Sequence, residues 1–515
     1  MKIIESAIRT VSPAWAFKRE QYRKALAAYE AANPSRLRKL KPDNSSGDSV
    51  VGRAGPALRG YARQLEQNYD LASAVLDTLV DGTVGPNGIS WEPLPKTFDG
   101  DIHEDFANEL LELWKDIAPT LNVTWGMDDV ATERLAARTL FRDGEYLVQF
   151  LEGSIPGLDH GSRVPFSIEL IESDLLPFDL NDDSKKITQG VERNAWNRAR
   201  AYHVLKQHPG ADTWRIDLNT KRVSADKMLH PKLAGRFGQA RGVSIFSPVI
   251  TRIEDLKDYE ESERVAARIA AALSFYIKKG TPEEYTPPSP GETERSFSIK
   301  PGMGFDNLRQ GEDVGTIDSN RPSSLLTPFH DTMSRRVAAG TGSGNSSITK
   351  NYNGTYSAQR QELVENWIHY EALTRMFVGM HSRPIKTRFV QMAIASRQIK
   401  VPRDINPLTL YDADYRGPPM PWIKPQDEVD AMERKERAGY ASAQQNIRSA
   451  GGNPQNVRQQ IKVWRQQNDD DGLIFTTDPK HDKGTQNEAP AQTGASSLKE
   501  EETDDGKKES SETDE

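Results

Sequence analysis

Apolar side chains recur at mostly helical spacing through the middle of the chain, at Val249, Ile253, Leu256, Val265, Ile269, Leu273 and Ile277, with charged residues between them. This is the pattern of a helix with one buried stripe. Ser247 supplies an N-cap and Pro248 suits the first turn. No further proline intervenes before Gly280, so residues 248–279 are predicted to form a rod of roughly 48 Å at 1.5 Å per residue. A rod far longer than an average globular helix usually spans something. Residues 280–324 then carry Thr-Pro, Pro-Pro, Ser-Pro-Gly and Pro-Gly pairs around one strand-like run, 296–300, the composition of a small strand-and-turn module. Thr327 and Pro328 open a returning helix with Phe329, Met333 and Val337 on its apolar face, and Gly340 is placed just past its C-cap. A helical hairpin with a decorated tip is the plain alternative reading of this order.

The flanking patterns are mixed. Residues 61–81 read as a helix burying Leu65, Tyr69, Ala72, Leu76 and Leu79, and residues 104–117 as another burying Leu110, Leu113 and Trp114. Runs at 145–151, 165–171, 187–192 and 201–207, separated by turns such as Asp143-Gly144 and Asn194-Ala195-Trp196-Asn197, read as an antiparallel set. The fold class is therefore α+β. After the returning helix comes a loop, 341–353, then a helix from Tyr356 to about residue 380 with Leu363, Trp367, Ile368, Leu373 and Phe377. No internal repeat is visible.

Composition narrows the class. A chain of 515 residues suffices for about three domains. Only 36% of its residues are hydrophobic, a polar balance that implies much surface facing water or other subunits. The longest nearly apolar run, 265–277, is short and broken by Arg268, and residues 1–9 lack the apolar core of a signal peptide. A cytoplasmic product with no membrane partner is expected. Cysteine is absent, which excludes disulfides, thiolate metal sites and cysteine nucleophiles. The net charge of −8 is unevenly spread: residues 1–42 hold ten Lys/Arg against three Asp/Glu, and residues 476–515 hold five against twelve. The first segment reads as a solvated basic arm and the last as a disordered acidic tail.

Candidate chemistry is sparse. The loop from Gly340 to Lys350 is glycine-rich, but a phosphate-binding loop needs Gly-Lys-Ser/Thr between a strand and a helix, and this loop follows a helix and has no Gly-Lys pair. None of the nine histidines falls in a metal-ligand spacing. The pairs Glu254-Asp255 and Glu260-Glu261 lie in the long polar helix, where a solvated face is the simpler account. No enzyme, cofactor or metal signature is found. An ATP-driven motor or a nuclease would need a Walker-type loop or clustered metal carboxylates, and the sequence offers neither.

Several stretches taken together resemble one family, the portal proteins of lambda-type tailed bacteriophages. In order they are Arg59 with Asn68-Tyr69-Asp70; Val80-Asp81-Gly82-Thr83-Val84-Gly85-Pro86-Asn87-Gly88-Ile89; Arg142-Asp143-Gly144-Glu145; Ile171-Glu172-Ser173-Asp174; Gly190-Val191-Glu192 with Ala201-Tyr202-His203-Val204; and Gly238-Gln239-Ala240-Arg241-Gly242-Val243-Ser244. The sharpest is Gly417-Pro418-Pro419-Met420-Pro421-Trp422-Ile423-Lys424-Pro425, followed by Asp427-Glu428-Val429 and Ala438-Gly439. The shared order runs from about residue 50 to 470. Departures are Lys424, where the family commonly has an acid, Lys350-Asn351 at an often acidic loop position, and Tyr356-Ser357-Ala358-Gln359-Arg360 in place of Tyr-Ser-Ser-x-Arg.

The resemblance implies a ring of about twelve subunits, closed by a heterologous interface, with double-stranded DNA passing through it. It implies a basic arm at 1–42, a wing at 43–246, a first stem helix at 247–279, a clip at 280–324 and a second stem helix at 325–340. A tunnel loop at 341–355, a return to the wing at 356–425, crown helices at 426–475 and the tail at 476–515 complete the order. Implied partners are the terminase large subunit, the major capsid protein, scaffold and a head-completion or tail-adaptor protein. The implied location is the portal vertex of the virion, after assembly in the host cytoplasm. Asn345, Lys350 and Asn351 are candidate phosphate contacts in the loop, and Glu254, Asp255, Lys257 and Asp258 are candidates for the stem's channel face. From Thr251 to Arg264 the helix holds six acids against three bases, a field that repels or only weakly guides a duplex. A non-channel structural or scaffold-like head protein is the alternative from another class.

Overall fold

Ser46 caps the first helix, α1 (Gly47–Asn68), its side chain accepting from the Ser49 amide. The computed structural model describes residues 15, 43–211, 219–271, 275–279, 312–316, 326–473 and 475. It divides into two units, residues 1–421 and 422–515. The pattern predicts one helix over 61–81, but Tyr69 takes an extended conformation (φ −140°) and α2 (Asp70–Thr83) starts afresh. Leu65, Tyr69, Ala72, Leu76 and Leu79 are all buried on either side of the break, so the periodicity carries no sign of it. After β1 (Ser90–Pro93), α3 (Glu104–Ile117) occupies the expected span. The sequence pattern misses α4 (Asp129–Asp143), whose buried face mixes Thr132, Ala136 and Ala137 with Leu140 and Phe141.

The expected strands form two antiparallel sheets. One has the order β3-β2-β8, from β2 (Leu147–Glu152), β3 (Phe166–Ile171) and β8 (Met228–Leu229). The other is a meander of β4 (Ile187–Thr188), β5 (Val191–Arg193), β6 (Ala199–Leu205) and β7 (Thr220–Ser224). Gln189 and Gly190, both at positive φ, split the single strand expected at 187–192. The sheets share a core of Leu147, Ile171, Leu176, Val191, Tyr202 and Val223.

The predicted rod is shorter than its apolar pattern. Helix α5 spans Ile250–Ala271, and residues Phe275–Lys279 form β9, paired antiparallel with β10 (Glu312–Thr316) from Phe275↔Thr316 to Lys279↔Glu312. Aromatic and β-branched residues in Phe-Tyr-Ile-Lys-Lys suit a strand, and a ladder partner overrides helical spacing. The strand expected at 296–300 lies outside the described residues, as do the arm apart from Trp15 and the tail beyond residue 475. Next come α6 (Leu326–Thr341), α7 (Asn345–Thr349) and α8 (Tyr356–Phe377), then a π-helical turn, Val378–Ser382, leading into α9 (Arg383–Ala395). Strand β11 (Ala413–Arg416) pairs with β1 from Ser90↔Arg416 to Pro93↔Ala413, returning the chain to its start. There the Thr374 hydroxyl donates to the Thr83 carbonyl at 2.8 Å. A β-carbon on Gly85 (φ +71°) would stand 2.7 Å from Pro418, and one on Gly417 2.7 Å from Thr374. The main core runs through α1–α4, α8 and α9 and takes in Val249, Ile253 and Leu256 of α5 with Val337 and Ala338 of α6. Within it Trp91, Trp114 and Phe389 meet edge to face, and the Lys386 ammonium lies 3.0 Å from the Trp114 ring centre. The second unit contains α10 (Pro425–Arg437), α11 (Ala443–Ser449) and α12 (Pro454–Asp471). Among the described residues no helix is long and apolar enough to cross a membrane.

A buried ion cluster fixes where α5 leaves the sheets. Glu145 is fully buried. Its Oε1 accepts from Arg59 Nη2 at 3.0 Å and Arg241 Nε at 2.8 Å, and its Oε2 accepts from the Gly242 amide at 2.7 Å. His230 Nε2 lies 2.9 Å from Oε2. Arg241, also fully buried, donates to the carbonyls of Ser173, Leu176 and Gln189 and lies over the Phe178 ring at 3.9 Å. The cluster extends outward through Arg63, which binds Asp143 at 2.7 Å and Asp174 at 2.6 Å, and through Arg142, which joins Asp143 to Glu66. Gly144 (φ +85°) and Gly242 let the two backbones touch: a β-carbon on Gly144 would stand 2.3 Å from the Val243 carbonyl carbon, and one on Gly242 2.0 Å from the Gly144 oxygen. Burial alone would raise the Glu145 pKa, but the Arg241 charge and the hydrogen bonds hold it well below the usual carboxylate range.

Arg241→Met leaves Glu145 buried with its nearest charge partner gone and should cost about 3–5 kcal/mol, measured by urea denaturation; a loss under about 1 kcal/mol contradicts the cluster's role. A folded-state carboxylate with a lowered pKa contributes fully above its unfolded value of about 4.3, and that contribution fades as pH falls toward the folded value. The native chain should therefore lose stability below about pH 4 more steeply than Glu145→Gln, as followed by thermal melts across acid pH.

Candidate functional site

The sequence points to α5, α6 and the loop after them. Two contacts show that the helices run antiparallel. At one end the Tyr259 and Phe329 rings lie 4.7 Å apart and His330 Nε2 meets Glu260 at 2.8 Å; at the other a β-carbon on Gly340 would come within 2.4 Å of the Val249 side chain. The close approach explains Gly340, which lies inside α6. The residue expected there as a helix terminator is instead Gly342, at φ +73°, after a helix that runs through Thr341. Glu260 also accepts from the Tyr69 hydroxyl at 3.2 Å, so the break between α1 and α2 is tied to α5. Burial and the Glu260 carboxylate push the Tyr69 pKa up.

The four stem candidates do not share one face. Ile253 and Leu256 are buried, which fixes the inward side. Asp255 and Asp258 are exposed, while Glu254 and Lys257 are half-buried on the flanks. Glu261 and Arg268 extend the exposed side, where Val265, expected on the buried stripe, is 43% exposed. Helix α6 exposes Arg335 and Arg336. Helix α5 thus exposes Asp255, Asp258 and Glu261 along with Arg264 and Arg268, and α6 exposes Arg335 and Arg336.

The loop is more ordered than its glycines suggest. Ile348 of α7 is buried in the main core. The Gly344 amide donates to the Tyr370 hydroxyl at 3.2 Å, and Glu362 accepts from the Ser346 amide at 2.9 Å and its hydroxyl at 2.6 Å. Burial raises the Tyr370 pKa and lowers that of neighbouring His369. Gly342 is needed here as well, since a β-carbon would meet His369 at 2.3 Å. Asn345 begins α7 half-buried, with its Oδ1 enclosed and unpaired. Lys350 ends the helix in left-handed geometry (φ 54°) and is exposed beside exposed Asn351, whose Oδ1 accepts from the Asn353 amide at 3.2 Å. Lys350 and Asn351 therefore stand together at the surface, and Asn345 is set apart from them.

Sequence spacing gave no hint of a third group. Ligand atoms of Glu172, Asp174 and His208 lie within 4.8 Å of one another. Neighbouring side chains account for them. Asp174 is held by Arg59 and Arg63, whose charges, outweighing burial, lower its pKa. His208 Nδ1 accepts from the Gly210 amide at 3.0 Å, which puts the ring proton on Nε2, 3.3 Å from Glu172.

The sequence comparisons bear on these elements directly. The family described as phage portal protein, lambda family, matches residues 33–373. A probable portal protein of Halomonas phage phiHAP-1 is 24% identical over 430 residues, covering 80% of this chain and 81% of the relative. Among solved structures, the neck of a native gene transfer agent particle aligns with 84% of this chain and 99% of its own at 14% identity and a TM-score of 0.40. An HK97-family phage portal protein from Corynebacterium diphtheriae aligns with 62% and 90% at 11% identity and a TM-score of 0.30. With the family matched from residue 33 through α5, α6, the loop and most of α8, the chain belongs to the lambda family of phage portal proteins.

Proposed function

We propose that about twelve copies of this chain close into a ring at one capsid vertex, and that double-stranded DNA enters and leaves the capsid through its bore. The observation that carries this reading is the family match across the antiparallel helix pair, whose α5 member has an acid-rich exposed side. In this reading α5 and α6 are the stem, residues 280–324 the clip, 43–246 with 356–425 the wing and 426–475 the crown. The chain is structural rather than enzymatic. Packaging ATP is hydrolysed by the terminase large subunit, and the ring also meets the major capsid protein, scaffold and a head-completion or tail-adaptor protein. Assembly takes place in the host cytoplasm.

A bore must let a duplex slide. Many Lys/Arg–phosphate contacts would give tight, salt-sensitive binding, whereas acids at the bore repel phosphate and keep the duplex loose. Asp255 and Asp258 are placed to do this, with Glu254 and Lys257 on the flanks. Lys350 and Asn351, exposed in the loop after the stem, supply a sparse phosphate contact. Exposed Arg335 and Arg336 favour a second reading of the same acids, in which α5 of one subunit pairs with α6 of the next and the charges close the ring.

Asp255→Lys with Asp258→Lys separates the two. As bore acids, their reversal leaves rings intact and slows packaging several-fold, most strongly at low salt; as interface acids, it prevents rings from forming, as seen by native mass spectrometry. Unchanged assembly, rate and salt dependence would remove them from both roles. Lys350→Ala should reduce the full-length DNA retained in particles, and normal retention would exclude this residue.

A further inference from the structure

The sequence contains two Asn-Gly pairs, Asn87-Gly88 and Asn353-Gly354. In this dipeptide the asparagine side-chain amide is open to attack by the next backbone nitrogen, because glycine has no β-carbon to obstruct it. The structure treats the two pairs differently. Gly88 is buried at φ +74°, where a β-carbon would stand 3.1 Å from both Glu133 Oε2 and Val130, and the Ile89 amide that follows donates to Glu133 at 2.8 Å. That turn is held in place. Asn353 and Gly354 are both exposed, in the irregular stretch between α7 and α8. The chain is fastened on either side of them: Gln359 Nε2 donates to the Tyr352 carbonyl, and the Thr355 hydroxyl caps α8 by accepting from the Ala358 amide at 3.4 Å. Between those fastenings the Asn353 amide donates to Asn351 Oδ1 at 3.2 Å, and among the described residues nothing engages the Asn353 side chain or the Gly354 amide. From 341 to 355 the single charged residue is Lys350.

We propose that Asn353 is a site of spontaneous deamidation, and that the conversion cancels the charge of the loop. The Gly354 nitrogen attacks Cγ of Asn353 and forms an N–Cγ bond. The Cγ–Nδ2 bond breaks, and ammonia leaves with the proton of the Gly354 amide. Water then opens the cyclic imide: hydrolysis of the N–Cγ bond gives aspartate, and hydrolysis at the Asn353 main-chain carbonyl gives isoaspartate, whose backbone is one carbon longer. Water is the sole co-reactant and nothing is oxidised or reduced. Either product places a carboxylate three residues from Lys350, so the loop passes from one positive charge to none. The chemistry at Asn353 stands apart from the ring reading, whereas its consequence rests on the phosphate contact proposed for Lys350. There the new carboxylate offsets the base and weakens its hold on phosphate. Isoaspartate also shifts the backbone two residues before Thr355, the cap of α8.

The full-length chain is aged in mildly alkaline buffer made with heavy-oxygen water, and its peptides are sequenced by tandem mass spectrometry beside an unaged sample. The expected result is aspartate and isoaspartate at position 353, each carrying one solvent oxygen and accumulating several-fold faster than any conversion at Asn87. Gly354→Ala should slow the reaction several-fold, and Asn353→Gln should abolish it at this position. Conversion no faster than at Asn87, or without solvent oxygen, overturns the site. The consequence is read separately, from the DNA in particles. Asn353→Asp fixes the charge of the product and should lower the full-length DNA retained to the level of Lys350→Ala, while Asn353→Gln retains normal amounts. Normal retention with Asn353→Asp beside reduced retention with Lys350→Ala overturns the charge effect. Normal retention in both overturns the phosphate contact on which that effect rests and leaves the deamidation site standing.

Discussion

A carboxylate with no access to water requires every acceptor site to be filled, and around Glu145 this requirement organises the first unit. Two guanidinium groups, an imidazole nitrogen and a backbone amide surround it. These donors come from α1, from the segment after β8 and from the approach to α5, separated from Glu145 by 85 to 97 residues along the chain. A buried charge is tolerated only when paired and hydrogen-bonded, so these segments reach their places together. Arg241 adds the loop after β3 and the turn before β5 through three carbonyls. The direction in which α5 departs is thereby set by α1 and the sheets rather than by the helix itself.

That arrangement makes sense of the stretches by which the sequence resembles its family. Arg59, the Arg-Asp-Gly-Glu run at 142–145, Ser173-Asp174 and the run at 238–244 are distant in sequence and adjacent in the cluster. Gly85 and the Gly-Pro pair at 417–418 meet in a second place, where the returning chain closes on α2. Sequence order exposed these residues as matched pieces. It did not reveal that they touch, because a salt bridge between residues 96 apart, such as Glu145 with Arg241, leaves no periodic trace in one sequence.

Element by element, legibility follows the size of the buried side chains. Helix α3, with Leu110, Leu113 and Trp114 inward, has the expected ends, whereas α4 hides because its inner face mixes Thr132, Ala136, Ala137 and the acids Glu133 and Asp143 with only two large apolar residues. The break at Tyr69 preserves the apolar rhythm on both sides, so hydrophobicity alone cannot show it. The long rod is over-read for the opposite reason: helical spacing continues into residues 275–279, while the backbone there is committed to a ladder with 312–316. Gly340 was assigned a terminator's role by position, yet its lack of a side chain serves packing against Val249. Of the candidates on α5, the pattern found the charged surface but not which charges project, since the helix's rotation is fixed by which residues are buried, Ile253, Leu256 and Glu263. The glycine-rich loop is anchored by Tyr370, Glu362 and the buried Ile348, contacts that its composition does not show.

The central claim is that this chain closes into a ring with a passage through it. The most direct measurement is the mass of the purified full-length assembly by native mass spectrometry, with electron micrographs of the same sample. The account predicts a single closed species of about twelve subunits with a central opening wide enough for duplex DNA. A stable dimer or trimer without an opening would contradict it.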